Sequence, residues 1–309
     1  MKLLYRRGAV GVFAVLLGLL LPSNPARADE IYVTNQLAGT VGKYTTSGAT
    51  VNAALVSGLS IPSGIAVSGS DLFVVNRAAG TIGEYATSGA TVNAALISGL
   101  FGADDIAVSG SDLFVLNPLT GLIGEYTTSG ATVNPALIGL NNPRGIAVSG
   151  SDLFVTYDGF LSAVVGEYTT SGATVNPTLI SGLVTPTAIA VSGSDLFVRS
   201  AVPGTIGRYT TSGATVNAAL ISGLGLYGDI AVSGSDLFVV NQFTANQGGT
   251  ISEYTTSGAT VNPALISGLN VPWGIAIAPT PEPSSLTLLG LVIGGLAFCG
   301  FRRYAKHSV

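Results

Sequence analysis

The chain is poor in the side chains on which most chemistry depends. Of its 309 residues one is a cysteine, Cys299, and one is a histidine, His307, and both fall in the last eleven positions. The central body therefore has neither thiol nor imidazole. That excludes disulfides, Cys or His nucleophile-and-base pairs, and zinc sites made of those ligands. Charge is scarce too, with Asp, Glu, Lys and Arg making up 9% of residues. Lys2, Arg6, Arg7, Arg27, Arg302, Arg303 and Lys306 lie at the ends, leaving Lys43, Arg77, Arg144, Arg199 and Arg208 against fifteen acids between Asp29 and Glu253. A body so acidic is a poor match for phosphate backbones, so nucleic acid is not an expected partner. What remains is carboxylate, hydroxyl, amide, aromatic and guanidinium chemistry.

Long apolar runs occur only at the two ends. Lys2, Arg6 and Arg7 lead into the apolar run 8–21, followed by Pro22 and then Ala26-Arg27-Ala28. A positive n-region, an apolar h-region and a small-x-small site read as a secretory signal peptide over 1–28, removed by signal peptidase ahead of Asp29. An uncleaved anchor is the alternative, although a run of 14 residues is short against the roughly 20 that a bilayer span needs. At the other end, residues 284–301 carry no charge. As a helix they would extend about 27 Å at ~1.5 Å per residue, enough to cross a hydrocarbon core of roughly 30 Å with some thinning. Arg302, Arg303 and Lys306 would then face the cytoplasm.

The order of parts in this C-terminal segment, Pro281-Glu282-Pro283, then the apolar stretch, then Arg302-Arg303, resembles the PEP-CTERM sorting domain of Gram-negative bacteria. The resemblance implies an exosortase-type processing protease as partner, cleavage near Pro281-Glu282-Pro283, and delivery to the cell surface or an exopolysaccharide matrix. A plain C-terminal membrane anchor is the alternative. Either reading places the body outside the cytoplasm. The expected organisation is a signal peptide over 1–28, a body over 29–279 and a sorting and transmembrane segment over 280–309.

The body repeats itself. Aligned on the aspartate of Ser-Gly-Ser-Asp-Leu-Phe-Val, the copies fall at Asp71, Asp112, Asp152, Asp195 and Asp236, spaced by 41, 40, 43 and 41 residues, and Glu30-Ile31-Tyr32-Val33 begins a degraded copy 41 residues before Asp71. A period near 40 with short apolar runs and Gly/Ser turns points to propeller blades rather than helical repeats, which would show 3.6-residue apolar spacing. Each unit divides into four strand-like runs. The "IAV" and "LFVV" runs are apolar without alternation, as strands covered on both faces are. The last run accepts Pro135, Pro177 and Pro263, which marks it as the outer edge. Ile65, Ile106, Ile146, Ile189, Ile230 and Ile275 each open an inner strand, while the N-terminal copy has none. The expectation is an all-β, six-bladed β-propeller with four antiparallel strands per blade, closed three plus one by the N- and C-terminal strands.

The stretch "IYVTN" at 31–35, with "GTVGKY" and "IPSGIAVSGSDLFVVN" and its later copies, resembles the YVTN and NHL type of propeller repeat over about 29–279. That resemblance implies the fold. Its families include binding proteins and a few enzymes, so it does not assign a function.

Two loop classes hardly vary between copies and two diverge, and in a four-stranded antiparallel blade the divergent pair share one face. The expected function is a binding or surface-structural module that captures a ligand, a polysaccharide or another surface protein, on that face. Arg77, Arg144, Arg199, Tyr157, Asp158, Phe160, Tyr227, Phe243 and Trp273 are the candidate contacts, since aromatic and Arg side chains give large area and fixed donors. The residue ahead of each inner strand runs Gly64, Asp105, Gly145, Ala188, Asp229, Gly274. Asp105 and Asp229 are thus three blades apart across the channel and are candidate ligands for Ca²⁺; solvated carboxylates, or ones bonded to backbone amides, are the competing reading. At the third-strand site Lys43 and Arg208 each stand between acids of adjacent blades and are expected to pair with them. The alternative function is a metal-dependent lactonase or hydrolase like the gluconolactonase-type propellers, for which Asp104, Asp105, Asn141, Asn142 and Asp229 are the candidates. A passive matrix protein with no specific ligand is the third.

Overall fold

Each repeat folds as one four-stranded antiparallel sheet. The second runs from the inner strand Pro62–Ser68 through Asp71–Asn76 and Thr81–Ala86 to the outer strand Thr91–Ser98. The computed structural model describes residues 29–159, 162–242 and 248–278, and in it six such sheets are present. The expected signal peptide and sorting segment, with Phe160 and Phe243, lie outside the described residues.

The ring closes as the sequence predicts. Pro272–Ala278 lies antiparallel to Glu30–Asn35, with Ile275 opposite Val33, Ala276 opposite Tyr32 and Ile277 opposite Ile31. The last strand of the chain thereby becomes the inner strand of the first blade. Blades 2 to 6 then span 62–98, 105–139, 145–183, 186–222 and 230–269.

Apolar side chains explain why the strands show no alternation. Six buried clusters form, and each joins one blade to the next: Phe114 and Ile123 of blade 3 pack with Ile146 and Leu153 of blade 4, and Phe238 and Ile251 of blade 6 pack with Ile31 and Ile275 of blade 1. Phe73, Phe114, Phe154, Phe197 and Phe238, with Tyr32 in the degraded copy, are all buried. Burying each ring contributes roughly 1.5–3 kcal/mol.

The outer strands are built differently from what proline alone suggests. All six pair with their neighbours through register shifts, as at Ile82/Glu84 and Glu84/Tyr85. In each, an asparagine Oδ1 accepts the amide two residues on, as Asn93 does from Ala95 at 3.2 Å and Asn134 from Ala136 at 3.2 Å. The bulges and the occupied amides blunt an otherwise open edge.

Backbone bonds place the two loop classes on opposite faces. The repeated turns meet one another: Thr128 N donates to Ser111 O at 2.7 Å, and Thr87, Thr170, Thr211 and Thr256 do likewise. The divergent loops also meet one another, with Arg77 N donating to Ile61 O, Asp158 N to Asn141 O and Ala201 N to Thr185 O.

The pairing expected for Lys43 and Arg208 is corrected. Lys43 Nζ lies 2.8 Å from Glu30 Oε2, and Arg208 Nη2 lies 2.7 Å from Asp195 Oδ2, so both partners belong to the same blade. Diagonal neighbours across a strand pair come within reach of long side chains, whereas packed sheets stand about 10 Å apart. Lys43 does touch blade 2, but through the carbonyl of Thr87 at 3.2 Å.

Candidate functional site

Most of the loops entering the inner strands follow a common frame. In four blades it reads x-Pro-y-Gly or x-Pro-y-Ala, and x, which is Ile61, Asn142, Thr185 or Val271, has a left-handed backbone with φ of 50°, 47°, 45° and 54°. That conformation is costly for β-branched residues, and three of the four are β-branched. In blades 4, 5 and 1 the y residue, Arg144, Thr187 or Trp273, lines the channel mouth, whereas Ser63 of blade 2 is fully buried. Around the ring the y position is held by Trp273, Ser63, Asp104, Arg144, Thr187 and Gly228, from blade 1 to blade 6. Trp273 and Arg144 are therefore three blades apart.

The following position must be small where the next blade presses on it. A Cβ on Gly64 would sit 2.7 Å from the Cα of Asp105, and one on Gly274 would sit 2.4 Å from the carbonyl of Ser63. Asp105 and Asp229 occupy the same position in blades 3 and 6, and both act as staples. Asp105 accepts the amides of Ile106 at 2.8 Å and of Ile146, in the next blade, at 3.0 Å. Asp229 accepts that of Ile230 at 2.8 Å and that of Ile275 in blade 1.

Above this floor lies a cavity of about 270 Å³, lined by Gly64, Arg77, Asp104, Asp105, Pro118, Asn142, Arg144, Thr187, Ala188, Tyr227, Gly228, Asp229, Trp273 and Gly274. It draws on both divergent loop classes. Of the residues expected from the sequence, Arg77, Arg144, Tyr227, Trp273, Asp105 and Asp229 are brought together here. The rings of Tyr227 and Trp273 stack at 5.9 Å with an interplanar angle of 22° and form one aromatic wall. Facing them, Arg77 Nη1 lies 3.3 Å from Asp104 Oδ1, while Arg144 is exposed and, among the described residues, makes no ion pair.

Three expected contacts are placed elsewhere. Arg199 is fully buried, with its guanidinium on the carbonyls of Gly225 and Tyr227, both at 2.8 Å, and on that of Val240. Its role is to fix the loop that carries Tyr227. Register explains the misplacement: Arg199 pairs with Ile206 as Val75 pairs with Ile82, so it holds a core position of its strand rather than a loop position. Tyr157 is likewise buried between blades 3 and 4, its hydroxyl donating to the Pro177 carbonyl. Asp158 stays near the surface but accepts a bond from Asn142 Nδ2 at 2.7 Å, which braces the Arg144 loop from behind.

The residue that composition did not single out is Thr187. Its Oγ1 is buried and has no hydrogen-bond partner. The signal was its slot, since Thr187 follows a proline in the same frame as Arg144 and Trp273.

Burial dominates the electrostatics. It pushes the Asp105 carboxyl well above the usual carboxylate range, with the charge of Asp229 adding to the rise and the two amides opposing it. Asp229 is pushed up to about 7, again chiefly by burial, against its amide bonds and the charge of Arg199. Asp104 is raised by burial despite Arg77 and Arg144. Burial lowers Arg199 to about 10.

The acids fit a divalent cation poorly. Calcium takes six to eight oxygens, whereas Asp105 and Asp229 each already hold two amides, and no three of His, Cys, Asp and Glu are grouped as a metal site would need among the described residues.

Comparison with known proteins bears on both ends of this description. Residues 279–303 match the PEP-CTERM protein-sorting motif. The motif implies export and association with the cell envelope or surface. No curated protein matches the chain. Among solved structures, a nidogen/laminin complex contains a chain 16% identical, covering 81% of this chain and 98% of its own at a TM-score of 0.65. A gluconolactonase from Xanthomonas campestris is 15% identical over 78% of this chain and 86% of its own, with a TM-score of 0.56. A virginiamycin B lyase from Staphylococcus aureus, solved with quinupristin, is 17% identical over 79% and 86%, with a TM-score of 0.57. At these identities the likeness is one of fold.

Proposed function

We propose that the protein is an exported binding module whose channel-mouth cavity captures one unit of a surface or matrix polysaccharide. In this reading signal peptidase releases the body and an exosortase-type protease processes the segment after residue 279. One observation carries the proposal: the diversified face gathers an aromatic wall, an unpaired buried hydroxyl, several carboxyl groups and a free guanidinium around a single cavity. Sugars present apolar ring faces and hydroxyl edges, and such a lining matches both.

The hydrolase reading gains less. Among the described residues, the donor set around Asp105 and Asp229 fits a divalent cation poorly. The virginiamycin B lyase of similar fold was inactivated by replacing a histidine, whereas this chain's single histidine is His307, beyond the propeller.

A glycan array probed with the full chain and with its Trp273→Ala variant tests the proposal. Selective retention of polysaccharides by the first, lost in the second, is the expected result. Equal retention by both would remove the cavity from the account.

A further inference from the structure

Resting on the saccharide-binding reading, we infer that the cavity selects an acidic sugar, a hexuronate-type unit whose ring lies against Tyr227 and Trp273 and whose carboxylate reaches Arg144 and Arg77. Trp273 and Arg144 hold the same loop position three blades apart, so the aromatic wall and the guanidinium face each other across one opening. A ligand spanning it needs an apolar face on one side and an acceptor for a planar cation on the other.

The two arginines differ in what they have left to give. Arg77 already leans on Asp104 at 3.3 Å. Arg144 has no carboxylate partner among the described residues, and Asp158 and Asn142 hold its loop in place without touching its charge. A guanidinium with free donors at the rim of a cavity favours a carboxylate, which it can bind through two parallel bonds.

The floor and sides decide between a sugar acid and an aromatic acid. Thr187 Oγ1 is buried and unbonded, and the carboxyl groups of Asp104, Asp105 and Asp229 border the same space. A benzoate-like ligand would satisfy Arg144 but leave the Thr187 hydroxyl dry and unpaired, which is unfavourable. The hydroxyls of a pyranose supply a partner to it and donors to the carboxyl oxygens while one ring face still meets the indole.

Trp273 is the only tryptophan in the chain, so its fluorescence reports on the site itself. The full chain would be titrated with glucuronate, glucose, benzoate and inorganic phosphate, with calorimetry alongside so that binding silent in fluorescence is still detected. The expected result is saturable binding of glucuronate at least tenfold tighter than of glucose, with benzoate and phosphate weaker than glucuronate. Arg144→Gln should abolish the preference, bringing the affinities for glucuronate and glucose to within about twofold of each other. Equal affinity for glucose and glucuronate would overturn the inference and leave the saccharide reading standing. Tightest binding of benzoate or phosphate would show a simple anion site and overturn both. No saturable response to any sugar by either method would also overturn both.

Discussion

The two faces of the disc use their polar side chains in opposite ways. On the face of repeated turns, the hydroxyls of the turn before the outer strand are engaged within that turn in five of the six blades. Thr127 and Ser129 share a hydroxyl bond of 2.8 Å, Ala131 N donates to Thr127 Oγ1 at 2.9 Å, and the same pattern recurs at Thr45, Thr169, Thr210 and Thr255. On the divergent face four blades share a backbone frame, and side chains at the position after its proline, Thr187 and Arg144 among them, are left over once the frame is satisfied. A repeated turn is therefore a finished structure, and a repeated frame with a variable position is a place to build a site.

The sharpest way to break this comparison is to cut the support beneath the divergent face. Arg199→Met would take the guanidinium from the carbonyls of Val240 and Gly225, and leave that of Tyr227 with only the Gln242 amide. At roughly 1–3 kcal/mol for each buried group left unsatisfied, a loss of at least about 2 kcal/mol is expected in denaturant unfolding. The native Trp273 fluorescence should shift with it, because Tyr227 would no longer be held against the indole.

Removing the wall itself should separate binding from stability. Trp273→Ala is expected to weaken saccharide binding at least tenfold, about 1.4 kcal/mol, while the partly exposed site keeps the change in melting temperature small. Unfolding and titration of the same variant check both halves.

The acids at the channel mouth set a pH dependence. Their folded carboxyls are raised, Asp229 to about 7 and Asp105 in the same direction, whereas an unfolded aspartate titrates near ~3.9. The folded state therefore holds these protons more tightly. The stability they contribute is fully present below about pH 4 and is lost as pH rises through about 7. Melting temperature should fall by a few degrees from pH 5 to pH 8 in the wild type. It should fall less in Asp229→Asn, whose amide has no proton to lose and gains no charge as pH rises.

The smallest effect belongs to the repeated face. Thr127→Ala removes one exposed hydroxyl pair and should cost no more than about 1 kcal/mol, without any change in ligand affinity. Blade 2 already carries Ala86 at this position and still closes the turn, with Ala86 N donating to Ala90 O at 2.8 Å.

Much of the fold was legible because the repeats state it several times over. The missing inner strand before Ile31 and the surplus one at Ile275 determine the closure, and the sorting of loops into repeated and divergent classes identifies the face. The site was legible in part. Arg77, Arg144, Tyr227, Trp273, Asp105 and Asp229 converge, but Arg199 and Tyr157 were read by residue type when their register placed them in strands. Thr187 was overlooked for the converse reason, being an ordinary residue in a telling slot. The left-handed turn before each proline has no pattern in composition, since Ile61 and Val271 are residues that ordinarily avoid it. The asparagine of the outer strands was present in every copy, but its bond to the amide two residues on becomes visible only once the bulge is seen.

The central claim is that the divergent face alone recognises the ligand, and hydrogen exchange measured on the full chain with and without tri-galacturonate tests it most directly. The account predicts slowed exchange in the loops at 60–64, 101–105, 141–145, 184–188, 225–229 and 270–274, with the Ser-Gly turns on the other side unchanged. Protection spread over both faces, or confined to the repeated turns, would contradict it.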